Sequence, residues 1–222
     1  MSGELGALLL ADARLPTGGH AHSAGLEPAL RAGMTADQLP AYIEARLRSV
    51  ALVEAAAAVL ALRAARTTPV VLTDVHDALL ARTPSEPLRT ASGLLGRGLA
   101  RLAGRLWPGH PAVVALKDLG VAPMRPVALG VIAAATGMDE LRTARAVLYD
   151  DAQTVAAAAL KLLPLDPTDT VRWLLHAEPS LERSVRRAVQ VTAPDDLPAV
   201  AATLVEQWSL DHVHRIRRIF VA

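Results

Sequence analysis

The stretch from Asp139 to Leu162 constrains this chain's fold more than any other. Asp139 is placed to cap a helix, and Leu141, Leu148, Val155 and Leu162 then keep one heptad column, with Ala144, Ala152 and Ala159 beside it. Pro164 and Pro167 stop the pattern. A long helix with a single apolar stripe needs other helices to cover it.

The remaining sequence supplies them. Thr35-x-x-Gln38 reads as a capping box opening a long helix to about Arg66, with Leu39, Ile43, Leu47, Val50 and Leu60 on one face. Pro40 either moves its start inward or bends it. Thr73 is expected to cap a short helix through Leu80, and Ser85 a helix from Glu86 to about Leu106 whose many glycines suggest close helix approach. Val127–Ala135 reads as a buried apolar helix. Thr168 or Asp169 then starts a helix to Ala177, Ser180 starts another to Val191, and Pro198 is placed as the first residue of the last. No alternating pattern of useful length and no convincing internal repeat is present. The expectation is an all-α, single-domain bundle of roughly eight to ten helices over residues 1–222.

Aromatic residues make up only 3% of the chain, so this core has to be built from Ala, Leu and Val. With 52% hydrophobic and 20% charged residues, disorder is excluded as the general state. The absence of cysteine removes disulfides, thiolate metal sites and a Cys nucleophile, and fits a reducing compartment. A net charge of +1 without aromatic stacking platforms argues against nucleic acid as partner. Met1–Glu4 carries no basic leader pattern, and Glu54 and Arg63 bound the longest Ala/Val/Leu run well short of a membrane span, so neither a signal peptide nor a membrane span is expected. Of the 23 basic residues 21 are arginines, which suits fork-shaped recognition of carboxylates, although a coding bias accounts for them equally well. The mean hydropathy of +0.30 without a span points to apolar surface that a partner covers, with a two-fold homodimer the simplest case.

One segment, residues 12–27, stands apart from the helical pattern. Pro16 pushes Leu15 out of the helical region, Gly18 and Gly19 permit a sharp turn, Ser23 is an N-cap candidate, and Glu27 falls in the first turn of the helix that follows. Asp12 and Thr17 are further cap candidates. The segment reads as a tight loop delivering the chain into a helix. At the other end, residues 211–222 carry Phe220, the single phenylalanine, beside Arg218 on a terminal run. An apolar anchor on a tail that is otherwise expected to be poorly ordered suggests a partner groove that receives it. On that reading, removing the tail leaves the fold nearly unchanged.

Catalytic readings find little support. Pro16-Thr17-Gly18-Gly19 has no Gly-Lys-Ser/Thr continuation, Gly93-x-x-Gly96-x-Gly98 follows no strand, and His22 beside Ser23 is adjacency rather than a triad. Asp150 and Asp151 diverge on a helix and are expected on a solvated face or a partner contact. His20/His22 and His212/His214 invite a metal reading, but residues two apart on a helix do not face each other, so no metal ligand is assigned. Arg89 and Ser92 share one helical face. Arg89 either bridges to Glu86 at the surface or ties the N-terminal loop or a partner to the bundle. A chain that acts by binding is the reading these residues favour. Its rivals are an independent histidine-based metal-binding protein and a helical ligand-binding regulator.

The pattern Leu15-Pro16-x-Gly18-Gly19-x-x-x-Ser23-x-Gly25-Leu26-Glu27 resembles the N-terminal signature of the UreF family of urease accessory proteins. Arg89-x-x-Ser92, Leu163-Pro164-Leu165 and Arg218-Ile219-Phe220 follow in the family's order and spacing. Two positions depart from it: His20 stands where an aromatic is usual, and Asp166-Pro167 where Gly-Gln is usual. The resemblance implies a cytoplasmic urease-maturation chaperone that dimerises, binds the accessory subunit UreD (also called UreH) and the GTPase UreG, and promotes nickel delivery into apo-urease. It implies no cofactor and no catalysis of the chain's own. Partner recognition is then expected of Pro16, Gly18, Gly19, His22, Ser23, Gly25 and Glu27 in the loop, of Arg89 and Ser92, and of Arg218 and Phe220 in the tail.

Overall fold

A computed structural model describes residues 3–12, 15–16, 18–213 and 219–220, with the backbone alone described at 20 and 213. Among the described residues the chain is all-α and contains no strand. In order, α1 spans Gly3–Ala11, α2 Leu26–Arg31, α3 Leu39–Arg48, α4 Val50–Ala64, α5 Thr73–Ala81 and α6 Glu86–Leu106. They are followed by α7 Pro111–Asp118, α8 Arg125–Ala135, α9 Glu140–Leu162, α10 Pro167–Gln190 and α11 Thr203–Val213. No helix among the described residues is long and apolar enough to cross a membrane.

The centre is α4, whose residues Ala55–Leu62 are buried on every side. Its small side chains let α8, α9 and α10 approach it closely, and α3 leads into it. Asp139 caps α9 by accepting the Arg142 N–H at 2.7 Å, and Leu148 and Val155 lie in the core. The first member of the heptad column, Leu141, is 47% exposed instead. A heptad column drifts by about 20° per repeat on a straight helix, and at that end burial passes to Thr143, Ala144 and Val147.

Several boundaries differ from the sequence expectation. The capping box at Thr35 and Gln38 forms, but the long helix to Arg66 divides at Ser49 (φ −123°, ψ −104°). The Ser49 hydroxyl donates to the Ala45 carbonyl at 2.7 Å, a local bond that competes with the helical ladder. The two helices expected after Pro167 are one, α10, with Pro179 inside it on an exposed face. The carbonyl that Pro179 leaves unbonded is that of Leu175, whose exposed position lets water take the bond. Asp166, at the departure from the family pattern, caps α10 through the Thr168 N–H at 2.8 Å, with Pro167 as first helical residue. Pro198 does not open the last helix. Arg82 holds the carbonyls of Asp195 and Leu197 at 2.9 and 3.1 Å, straps that segment across α5, and delays α11 to Thr203.

Thr73 opens α5 without a side-chain cap. Ser85 sits at the N-cap position of α6, yet its hydroxyl bonds that of Ser209 at 2.6 Å and joins α11 to α6. The expected close approach of α6 is real at Gly96, where an added Cβ would fall 1.9 Å from the Pro123 carbonyl oxygen.

Candidate functional site

The loop before α2 turns on two glycines in the left-handed region, Gly18 (φ 89°) and Gly25 (φ 77°). Gly19 needs no such freedom: a Cβ added there meets nothing within 4 Å. Pro16 and Gly19 are exposed, whereas Ser23 is fully buried and its hydroxyl accepts the Glu27 N–H at 3.3 Å. Gly25, at the cap position, packs where a Cβ would lie 3.0 Å from the Tyr42 hydroxyl. That hydroxyl donates to the Ala24 carbonyl at 2.8 Å and pins the loop to α3.

Glu27 does more than favour a helix dipole. It is 2% exposed, and its carboxylate receives the chain's other end. The Ile219 N–H reaches both carboxylate oxygens at 3.0 Å, the Phe220 N–H donates at 2.8 Å, and Arg31 adds a bond at 3.0 Å. Burial pushes the Glu27 carboxyl up, but these donors and the nearby His212 outweigh it and hold it below the usual glutamate value. His212 lies with Nε2 3.3 Å from the Phe220 carbonyl. The Phe220 ring is 3% exposed, with Lys161 Nζ 5.2 Å from its centroid. The expectation that Phe220 stands free for a partner groove is not met in this structure: Phe220 is buried against its own chain, and Ile219 and Phe220 are bonded to it. Arg218, Thr17 and His214 lie outside the described residues, as does the side chain of His20.

Asp150 and Asp151 require a second correction. Asp151 is 5% exposed and takes both arms of Arg46, at 3.0 and 2.5 Å. Asp150 pairs with Arg125, which also reaches Glu54 at 3.3 Å. Burial pushes the carboxyls of Glu54 and Asp150 up, because their nearby guanidiniums only partly offset lost solvation and Asp151 adds a like charge. Burial lowers the value of Arg46, but Asp151, with Tyr42 and Glu54 behind it, raises it further above the already high arginine value. Three carboxylates thus face two guanidiniums inside the bundle. Ser92 is part of this arrangement, accepting the Arg125 backbone N–H at 3.0 Å. Arg89 is not: it donates to the carbonyls of Thr83 and Pro84 at 2.7 and 2.6 Å and closes the α5–α6 connection, with no ion pair to Glu86 or hydrogen bond to the loop among the described residues.

Two cavities flank the charge cluster. One of about 150 Å³ is lined by His22, Arg46, Glu54, Ser92, Arg125 and Asp150. The other, about 250 Å³, lies between Asp12, Leu15, His22, Arg125, Asp150 and Phe220. Gly19, His22, Ser92 and Phe220, singled out from the sequence, are thereby brought to one place. Among the described residues no group of three or more His, Cys, Asp and Glu side chains is arranged to hold a metal ion. Sequence reasoning missed Tyr42, Arg46, Glu54, Arg125 and the roles of Asp150 and Asp151. A signal was available: Arg46 follows Ile43 by three residues and Glu54 follows Val50 by four, so charges stand on the very face that periodicity assigns to the core.

Fold and site together define an all-α bundle in which an N-terminal loop and a C-terminal tail are laced together over buried ion pairs. The UreF family profile matches residues 34–178. The urease accessory protein UreF of Mycobacterium sp. (strain JLS) is 39% identical over 217 residues, covering 97% of both chains. Those of Mycolicibacterium vanbaalenii and Mycobacterium tuberculosis (strain H37Ra) are 36% and 32% identical, again over 97% of both chains. The chain belongs to the UreF family.

Proposed function

We propose that this chain is a urease-maturation scaffold. It binds the accessory subunit UreD (UreH) and the GTPase UreG, promotes nickel insertion into apo-urease, and catalyses no reaction itself. The observation that carries this reading is likeness along nearly the whole chain to proteins named urease accessory protein UreF. The exposed part of the loop, Pro16 and Gly19, is a contact surface for these partners, and the buried loop residues hold it in shape.

The scaffold works in the cytoplasm as a two-fold dimer. Support for pairing comes from an apolar groove of about 710 Å³ among α1, α9 and α10, where Leu8 and Leu175 are 70% and 68% exposed. Arg145 and Glu182 at its rim supply both signs of charge, as a self-matching face requires.

The test is co-purification with UreD and UreG, followed by activation of apo-urease by nickel with and without the chain. Co-purification and chain-dependent activation are expected. A chain that captures neither partner and leaves activation unchanged would overturn the reading.

A further inference from the structure

Helix α6 carries Leu94, Arg97, Arg101 and Arg105 at steps of three and four residues, so all four lie on one face, and all four are exposed. Lys117 of α7 joins them, its Cε lying 3.0 Å from where a Cβ on Gly104 would stand. Among the described residues no carboxylate pairs with any of these four cations. Arg46, Arg63, Arg125 and Arg145 instead hold carboxylates and Arg66 and Arg82 hold carbonyls, whereas the exposed Arg183, Arg186 and Arg187 of α10 share the lack of a carboxylate partner among the described residues.

The fold does not reward such a stripe. Like charges one turn apart on a helix cost a few tenths of a kcal/mol per pair. The helix dipole compensates only at the last turn, which holds Arg105 but not Arg97 or Arg101. The face is nevertheless held rigidly, because the opposite side of α6 is locked against the Pro123 backbone at Gly96.

We propose that this face of α6 docks an acidic helix of a partner protein. Successive arginines rise by about 6 Å along the axis, the spacing that Glu or Asp residues four apart present on a facing helix. Each guanidinium fork can take one carboxylate on both oxygens. Exposed Leu94 at the head of the stripe supplies an apolar contact that a protein partner can match. The stripe is one helix wide and has no aromatic residue on it, which favours a helix over a nucleic-acid strand. None of these residues lines the two cavities beside the charge cluster, and the docking does not depend on the urease reading.

The probe is a synthetic helical peptide with glutamates at every fourth position, measured against its glutamine counterpart, a DNA duplex and phosphatidylserine vesicles. The wild-type chain should bind the glutamate peptide more tightly than the other three and lose affinity as salt rises. R97Q/R101Q/R105Q should bind it at least about tenfold more weakly with an unchanged melting temperature. R183Q/R186Q/R187Q, which removes the same charge from α10, should bind as wild type does. Three results overturn the proposal: equal weakening by both triple variants, no weakening by the first, or tighter binding of DNA or vesicles than of the peptide.

Discussion

Replacing Glu27 separates a structural tail from a decorative one. The Glu27 carboxylate accepts the Ile219 and Phe220 amides while nearly excluded from solvent. Charge-assisted hydrogen bonds contribute about 1.5–3 kcal/mol each, against about 1 kcal/mol for neutral ones. Glu27→Gln should therefore cost about 2 kcal/mol, or roughly 4–8 °C of melting temperature in a chain of this size. Deleting residues 219–222 should cost more. It removes the burial of Phe220, about 1.5–3 kcal/mol, and leaves a buried carboxylate without two donors, about 1–3 kcal/mol further. The expected fall is roughly 5–24 °C. The decisive arm combines the two. In the truncated chain the carboxylate keeps Arg31 but has lost both backbone donors, so Glu27→Gln should cost clearly less there than in the full chain. Thermal and urea melts of the four proteins measure this. If truncation shifts the melting temperature by less than about 2 °C, or if Glu27→Gln costs the same in both backgrounds, the reasoning fails.

Further expectations follow from the charge cluster, the loop and the groove. Asp151→Ala strands Arg46 in the core and should destabilise by about 3–5 kcal/mol, while Arg46→Met with Asp151→Leu should cost much less; denaturant melts compare them. The carboxyls of Glu54 and Asp150 are raised, so the folded chain keeps protons that the unfolded chain releases, and their contribution is lost as pH rises from the ordinary values of 4.5 and 3.8. Glu27 is lowered and acts oppositely: its contribution is present above 4.5 and lost as pH falls through its folded value, so Glu27→Gln should flatten the acid limb of a stability profile and Glu54→Gln the alkaline side of the carboxylate range. Gly19→Ala should fold and melt as wild type, because nothing opposes the added Cβ; weakened capture of UreD in a pull-down is the expected mark of a recognition surface. Leu175→Glu should leave helix content intact and yield a monomer by light scattering at micromolar concentration, and a persistent dimer would remove the groove from the pairing face.

How far the sequence was legible depended on the range of the interaction. Local signals were read well: the capping box at Thr35 and Gln38, the Asp139 cap and the extent of α6 are set within one turn of the residues that specify them. Boundaries failed where a distant contact overrides local preference. Ser85 has an ideal type for a cap and gives its hydroxyl to Ser209; Pro198 is suited to open a helix and is held off by Arg82. Pro179 breaks helices by local rules, yet α10 continues through it because Ala177, Leu181 and Val185 are buried on its inner face.

The same division explains the site. The turn at Gly18 was readable because backbone conformation is a property of the residue and its neighbours, but the cap was misplaced: Gly25, not Ser23, holds the N-cap position of α2, and Gly25 rather than Gly19 is the second left-handed glycine. The partner of Glu27 was not readable, since the amides it holds lie 192 and 193 positions away. Nor did any local rule join Arg46 to Asp151, separated by 105 positions. What the sequence does show is a charge on a core face, and a buried charge requires an opposite one. Applied to Arg46 and Glu54, that requirement calls for buried acids and bases elsewhere. Asp151, three residues past Leu148 on the apolar side of α9, meets the same criterion. The tail invited the opposite error. Terminal residues usually carry few contacts, but that rule assumes nothing ties them down. The single phenylalanine carries a large apolar area, and its burial together with the amide bonds of Ile219 and Phe220 to one carboxylate offsets the entropy of fixing these two residues.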